Sequence, residues 1–188
     1  MILALHLPPR MVYGLAYKNQ YLMCESKYKQ KLWFPRMVWW HMKLIWLEGA
    51  GLVIVSIIDI ETHFVPHASA FAVWVIAFCF NMLFNTILHH HSGIRQLTPK
   101  HDTIFYIKCG LFLLGYLLSW STAFSYSIYA VLCSSVAYAL FSMAEYILVG
   151  CNSLFYFLLV WELSGGRFEF YVSHKCHLGS TRTDVLMT

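Results

Sequence analysis

An all-α, multi-pass transmembrane helical bundle is the fold class this chain predicts, and three observations predict it. Of its 188 residues, 59% are hydrophobic and 12% charged, at a mean hydropathy of +0.58. An ordinary globular domain is about 45–50% apolar and about 25% charged, so this chain has too little polar surface to coat a water-soluble body. The apolar residues also gather into runs that reach the roughly 20 residues a helix needs to cross a bilayer. Finally, the segments between the runs alternate between basic and non-basic, the pattern that membrane orientation imposes.

About five spans are expected. Val38–Ile58 carries only Lys43 and Glu48 as charges. His67–Leu88 follows Pro66, a residue suited to a first helical turn. Thr103–Phe124 is the next run, and an uncharged Ser125–Ser127 turn is expected after it. Ile128–Leu163 is long enough for a tilted span with an extension, or for a break near Cys133-Ser134-Ser135. Met1–Tyr17 is a short fifth run interrupted by Pro8-Pro9-Arg10, a poor span on its own. It lacks the basic stretch that would open a signal peptide. Residues 1–163 are thus expected to form the bundle and 164–188 a short cytosolic tail.

Loop charge orients these spans. Lys18, Lys27, Lys29, Lys31 and Arg36 crowd the first connection, whereas Asp59–Val65 holds Asp59 and Glu61 and no base. Arg95 and Lys100 follow the next run, and Arg167, Lys175 and Arg182 lie in the tail. The basic loops and C-terminus are therefore expected in the cytosol and Asp59–Val65 in the lumen. Counting back places Met1 on the lumenal side, which points to a missing upstream helix, as in a truncated isoform.

Other classes find little support. A net charge of +4 spread over several loops does not make the basic face of a nucleic-acid binder. The six cysteines include no CxxC pair and fit packed, thiol-bearing apolar positions rather than a disulfide framework. Tryptophans near the span ends fit interface anchoring. His89-His90-His91 splay about 100° apart on a helix and are read as interface residues, and His63 and His67 flank Pro66, so no metal site or other cofactor is expected. No G-x-S-x-G elbow or other catalytic motif occurs.

The informative residues are the polar ones inside the spans. Tyr138, Glu145 and Asn152 recur every seven residues and share one helix face. A carboxylate at a helix centre costs roughly 2.5–3.5 kcal/mol on insertion scales, so Glu145 should face the bundle and meet a partner. Lys43, Glu48, Lys108, Asn81, Asn85 and Arg10 are the candidates. Lys43 and Lys108 sit where they can snorkel to the interface. Glu48, near mid-membrane like Glu145, is its expected company. Two readings stay open: polar glue that fixes helix register, or a polar cavity for a lipid headgroup or a reaction.

Three blocks carry a family resemblance: "ALHLPPRMVYGLAYKNQYL" (4–22), "LEGAGLVIVSIIDIETHFVPHASAF" (47–71) and "CSSVAYALFSMAEYILVGCNSLFYFLLVWEL" (133–163). In order and spacing they resemble the post-GPI attachment to proteins factor 2 family, part of a wider group that includes the damage-regulated autophagy modulators. His6, Pro9 and Arg10 resemble its His-x-x-Pro-Arg element, and Ala16 and Tyr17 the Ala-Tyr that follows. Glu48 resembles a Glu early in the next span, and His67, Ala70 and Phe71 the opening of the one after. Cys133, Tyr138, Phe141, Glu145, Tyr146, Asn152, Phe155 and Trp161 track the last block. Glu61 is shifted by one from the family's acidic loop residue, Tyr156 replaces an expected His and Val160 an expected Trp. The family's first helix, which would bring the spans to six, and its large lumenal loop have no counterpart.

The resemblance implies a Golgi or ER membrane protein that helps restore a saturated acyl chain to GPI anchors. It does so as an acyltransferase subunit or an assisting factor, with membrane lipids, GPI-anchored proteins or their precursors and an acyltransferase as partners. Glu145, Asn152, Tyr138, Glu48, His67 and Arg10 would then line the polar pocket, with no catalytic residue implied. A scaffold or autophagy-regulating protein without enzymatic activity, and a small ion or proton carrier, are the alternatives.

Overall fold

The computed structural model describes residues 2–23, 28 and 30–163, with side chains described from Arg10 to Leu22, at Tyr28 and from 30 to 162. Five long helices follow one another: α1 (Ile2–Met23), α2 (Trp33–Ile57), α3 (Phe64–His91), α4 (Pro99–Leu132) and α5 (Ser135–Leu163), with a 3-10 turn at Ile94–Gln96. Helices α2 to α5 are long and apolar enough to cross a membrane, and α1, with 22 residues, reaches about 33 Å. Together they make a multi-pass helical membrane bundle. The expected tail at 164–188, and the side chains of His6 and Pro9, lie outside the described residues.

Two boundaries differ from the sequence reading. Pro8 and Pro9 do not interrupt the first segment: α1 runs through them to Met23. They remove bonds to Ala4 and Leu5 only, in a helix barely two turns old. The second difference concerns Ser125–Ser127, where α4 continues unbroken. Its hydroxyls are satisfied inside the helix, Ser127 donating to the Ala123 carbonyl at 2.8 Å, Thr122 to Ser119 at 2.8 Å and Ser119 to Gly115 at 2.7 Å, so the serine-rich run has no need to leave helical geometry. The chain turns instead at Cys133, left-handed at φ 50°. Its N–H still reaches Tyr129 O, a helix ending usually given to glycine. Ser134 then accepts from the Ala137 N–H at 3.4 Å and starts α5.

Helix α2 packs on α3 and α4 on α5, α1 lies against α2 and α5, and α3 joins the pairs through α4. One apolar core (Tyr17, Tyr21, Phe34, Val38, Leu88, Ile94, Leu159) fills the end near the 92–98 loop, and another (Trp74, Val75, Phe78, Met82, Leu148, Cys151, Phe155) the middle. Outward, large apolar side chains such as Trp46, Leu117, Trp120, Ile147 and Phe157 are exposed, a surface suited to lipid. Cys79, Cys109, Cys133 and Cys151 are free thiols. Lys43 is at the surface over the Trp39 ring, 3.7 Å from its centre.

Small residues let α2 and α3 approach closely. A Cβ on Gly51 would lie 3.1 Å from the Trp74 backbone nitrogen and Cα, and backbone cannot step aside as a flexible side chain can. Gly51→Val should therefore destabilise the bundle by about 1–3 kcal/mol. Thermal unfolding in detergent checks this, with Gly110→Ala, which meets nothing within 4 Å, expected to leave the midpoint in place.

At the end bearing the 58–63 connection, Asp59 accepts from the Thr62 N–H and hydroxyl, both at 3.1 Å, and these bonds hold its carboxyl below the usual carboxylate range. At the other end Arg95 bonds Asp102 and, at 2.9 Å, the Tyr106 hydroxyl, so its guanidinium is pushed further up.

Candidate functional site

The bundle interior holds a carboxylate of one helix that three others serve. Glu48 of α2 is wholly buried. Its Oε1 accepts from Arg10 Nη1 of α1 and, at 2.6 Å, from Asn152 Nδ2 of α5. Its Oε2 accepts from Asn81 Nδ2 of α3 at 2.7 Å and from the Tyr156 hydroxyl of α5 at 2.9 Å. Four donors fill a carboxylate's roughly four acceptor positions. Arg10 also donates through Nη2 to Asn152 Oδ1, and its guanidinium carbon lies 4.4 Å from the Tyr156 ring centre. One cation and one anion are thereby neutralised within lipid depth, as the low dielectric requires. Arg10 Nε and Asn81 Oδ1 are the members left without a hydrogen-bond partner.

Of the six residues singled out from sequence, Arg10, Glu48 and Asn152 converge here; Glu145, Tyr138 and His67 do not. The expected Glu48–Glu145 pairing is replaced by Glu48 with Arg10. Glu145 lies seven residues, about 10 Å along α5, from Asn152, two turns away from the level at which Glu48 meets Arg10, Asn81, Asn152 and Tyr156. Glu145 is half-buried. Tyr138 is 50% exposed against Tyr129 and Phe141, and His67 Nδ1 bonds the Ile58 carbonyl at 2.8 Å.

A second buried charge pair was not foreseen. Lys108 of α4, expected to snorkel, is instead fully enclosed, its Nζ 2.6 Å from Glu162 Oε2 in the last turn of α5. Tyr17 and Gln20 of α1 donate to the same carboxylate at 3.4 and 3.2 Å. His89, expected at the interface, is buried as well. Its Nδ1 lies 3.2 Å from both Lys108 Nζ and Glu162 Oε1, and its Nε2 reaches the His101 carbonyl at 3.2 Å. His89, His101 and Glu162 bring ligand-type atoms within 4.8 Å, but the Lys108 ammonium already supplies the positive charge Glu162 needs.

The two pairs are joined along α3. Asn81, Asn85 and His89 recur every four residues and face inward. Asn85 Nδ2 lies 3.3 Å from His41 Nε2 of α2, and its carbonyl accepts from Tyr21 at 3.3 Å. The Asn81–Asn85–His89 spacing and the four-residue step from Asn152 to Tyr156 were both visible in the sequence. Glu162 was hidden at the end of an apolar run.

Fold and site together define a multi-pass α-helical membrane protein keyed internally by two buried ion pairs. The chain belongs to the Frag1/DRAM/Sfk1/Cwh43P family: the profile described as the Frag1/DRAM/Sfk1/Cwh43P N-terminal domain matches residues 1–166. No solved structure matches it.

Proposed function

We propose that this protein handles lipid during GPI-anchor maturation in the Golgi or ER membrane, supporting return of a saturated acyl chain to the anchor and so the surface display of GPI-anchored proteins. The basic loops and C-terminus face the cytosol in this reading. Family membership and the three sequence blocks support it. The observation that carries it is the Arg10–Glu48 pair, held by four helices deep in an apolar bundle, a placement that by default marks a site in a membrane protein. All four acceptor positions of Glu48 are occupied, which suits binding and positioning and leaves acyl transfer itself to a partner acyltransferase.

The test is rescue of GPI-protein display in cells lacking the remodelling factor, with this chain and with a version carrying the family's upstream helix. Restored display by either supports the reading, and failure of both while the proteins accumulate normally removes it. A proton carrier is the second reading, favoured by the polar line Asn81–Asn85–His89. Proton flux in liposomes that is lost in Glu162→Gln would establish it.

A further inference from the structure

Where the first connection enters α2, an open cleft of about 730 Å³ lies between the start of α2 and α3, its lining including Lys31, Trp33, Arg36, Trp40 and Phe84. Its outer wall is fixed to the bundle. Lys31 is held at both backbone groups, its N–H donating to the Tyr28 carbonyl at 2.9 Å and its carbonyl accepting from the Phe34 N–H at 3.1 Å. Phe34 is itself wholly buried. Tyr28 and Trp33 each stand edge-on to the His91 ring at the end of α3, with centres 4.7 and 5.4 Å apart. The Lys31 ammonium lies 5.3 Å from the Tyr28 ring centre.

Two cations open on this cleft, and nothing in it balances them. Lys31 and Arg36 are exposed, and among the described residues no acidic side chain lines the cleft and neither cation makes an ion pair. The first turn of α2 holds no acidic residue either, and Leu32 offers it no side-chain cap. Helix α2 has 25 residues, about 37 Å, against a hydrocarbon core of about 30 Å, so its first turn stands in the headgroup layer. From there the cleft passes inward. Trp40 is one turn beyond Arg36, and Phe84 lies seven residues, about 10 Å, inside the end of α3. Positive charge at the mouth and aromatic surface at the base complement a phospholipid, whose phosphate leads to glycerol and then methylenes. A free phosphate ion would leave the apolar half unmatched. A choline headgroup would set a third cation beside Lys31 and Arg36, whereas a net-negative one is drawn to them.

We infer that the α2–α3 cleft binds a net-negative glycerophospholipid of the leaflet on the side of the 92–98 loop, with Lys31 and Arg36 on its phosphate oxygens and Trp40 and Phe84 against the upper part of an acyl chain. The site is separate from the Glu48 network and needs only the membrane bundle, so it goes beyond the remodelling role and does not depend on it.

The test is native mass spectrometry of the purified full chain in detergent, titrated with phosphatidylserine or with phosphatidylcholine of the same acyl chains. The first phosphatidylserine should bind roughly tenfold tighter than the first phosphatidylcholine. Lys31→Ala and Arg36→Ala should each weaken it about fivefold, the effect of one basic residue at a membrane surface, and Arg36→Lys should keep most of the affinity. Both side chains are exposed, so the unfolding midpoint should stay at the parental value in all three variants. Lys18→Ala removes an exposed charge of α1 that does not line the cleft and should leave binding unchanged. Equal binding of the two lipids would overturn the inference, as would an equal loss in Lys18→Ala, which would reduce the effect to diffuse surface charge. Competition by soluble glycerophosphoserine as effective as that by phosphatidylserine would also overturn it, because the apolar half of the cleft would then contribute nothing. Lipid binding is read on isolated protein and GPI-protein display in cells, so either result can fail without the other.

Discussion

Glu48→Ala is expected to cost the bundle about 3–5 kcal/mol, because it strands the Arg10 guanidinium in an apolar interior. It also leaves the side-chain amides of Asn81 and Asn152 and the Tyr156 hydroxyl without the acceptor they now share. Arg10→Met should cost a similar amount by the reverse route. Removing both charges together, in Arg10→Met with Glu48→Leu, should restore most of the loss, since a buried pair is commonly replaceable by apolar side chains. Unfolding of detergent-solubilised protein, followed by tryptophan fluorescence, checks all three variants. A double variant as unstable as the sum of the singles would show that the two charges do not act as a pair.

The second large effect is at Lys108. Lys108→Met deprives Glu162 of its ammonium partner at 2.6 Å and leaves only Tyr17, Gln20 and His89 around a buried carboxylate. A loss of about 3–5 kcal/mol is expected, concentrated where α1, α3, α4 and α5 meet. Adding Glu162→Leu should recover much of it. Protease susceptibility at the 92–98 loop is a local readout, rising in Lys108→Met and returning towards the parent level in the double variant. An unchanged digestion pattern in the single variant would contradict the buried pairing.

The apolar runs made the helices legible, because a bilayer rewards length and hydropathy almost without regard to neighbours. Helix ends were less so: the Ser125–Ser127 and Pro8-Pro9 features resemble breaks in isolation, but hydroxyl back-bonding and a position near the helix start absorb them. At the site, a buried carboxylate with Arg10 and Asn81 among the candidate partners could be anticipated, and Asn152 as a polar residue on the inward strip of the last helix. Which carboxylate it was could not, since seven-residue spacing puts Glu145 and Asn152 on one face but about 10 Å apart along the helix, and only the folded bundle sets Glu48 at the level of Asn152. Lys108 and Glu162 were illegible for a related reason. Each lies near a span end, where a charge ordinarily reaches water, and only their shared level in the folded bundle brings them together.

In the proposed lipid-handling role the Arg10–Glu48 network does more than hold helices in register. The Arg10→Met, Glu48→Leu double variant isolates it, because apolar packing replaces the structural contribution while the polar site is lost. Its abundance and its rescue of GPI-protein display should be measured in the same cells. Near-parental abundance with display lost is expected. Display restored in proportion to abundance would contradict it and reduce the network to glue.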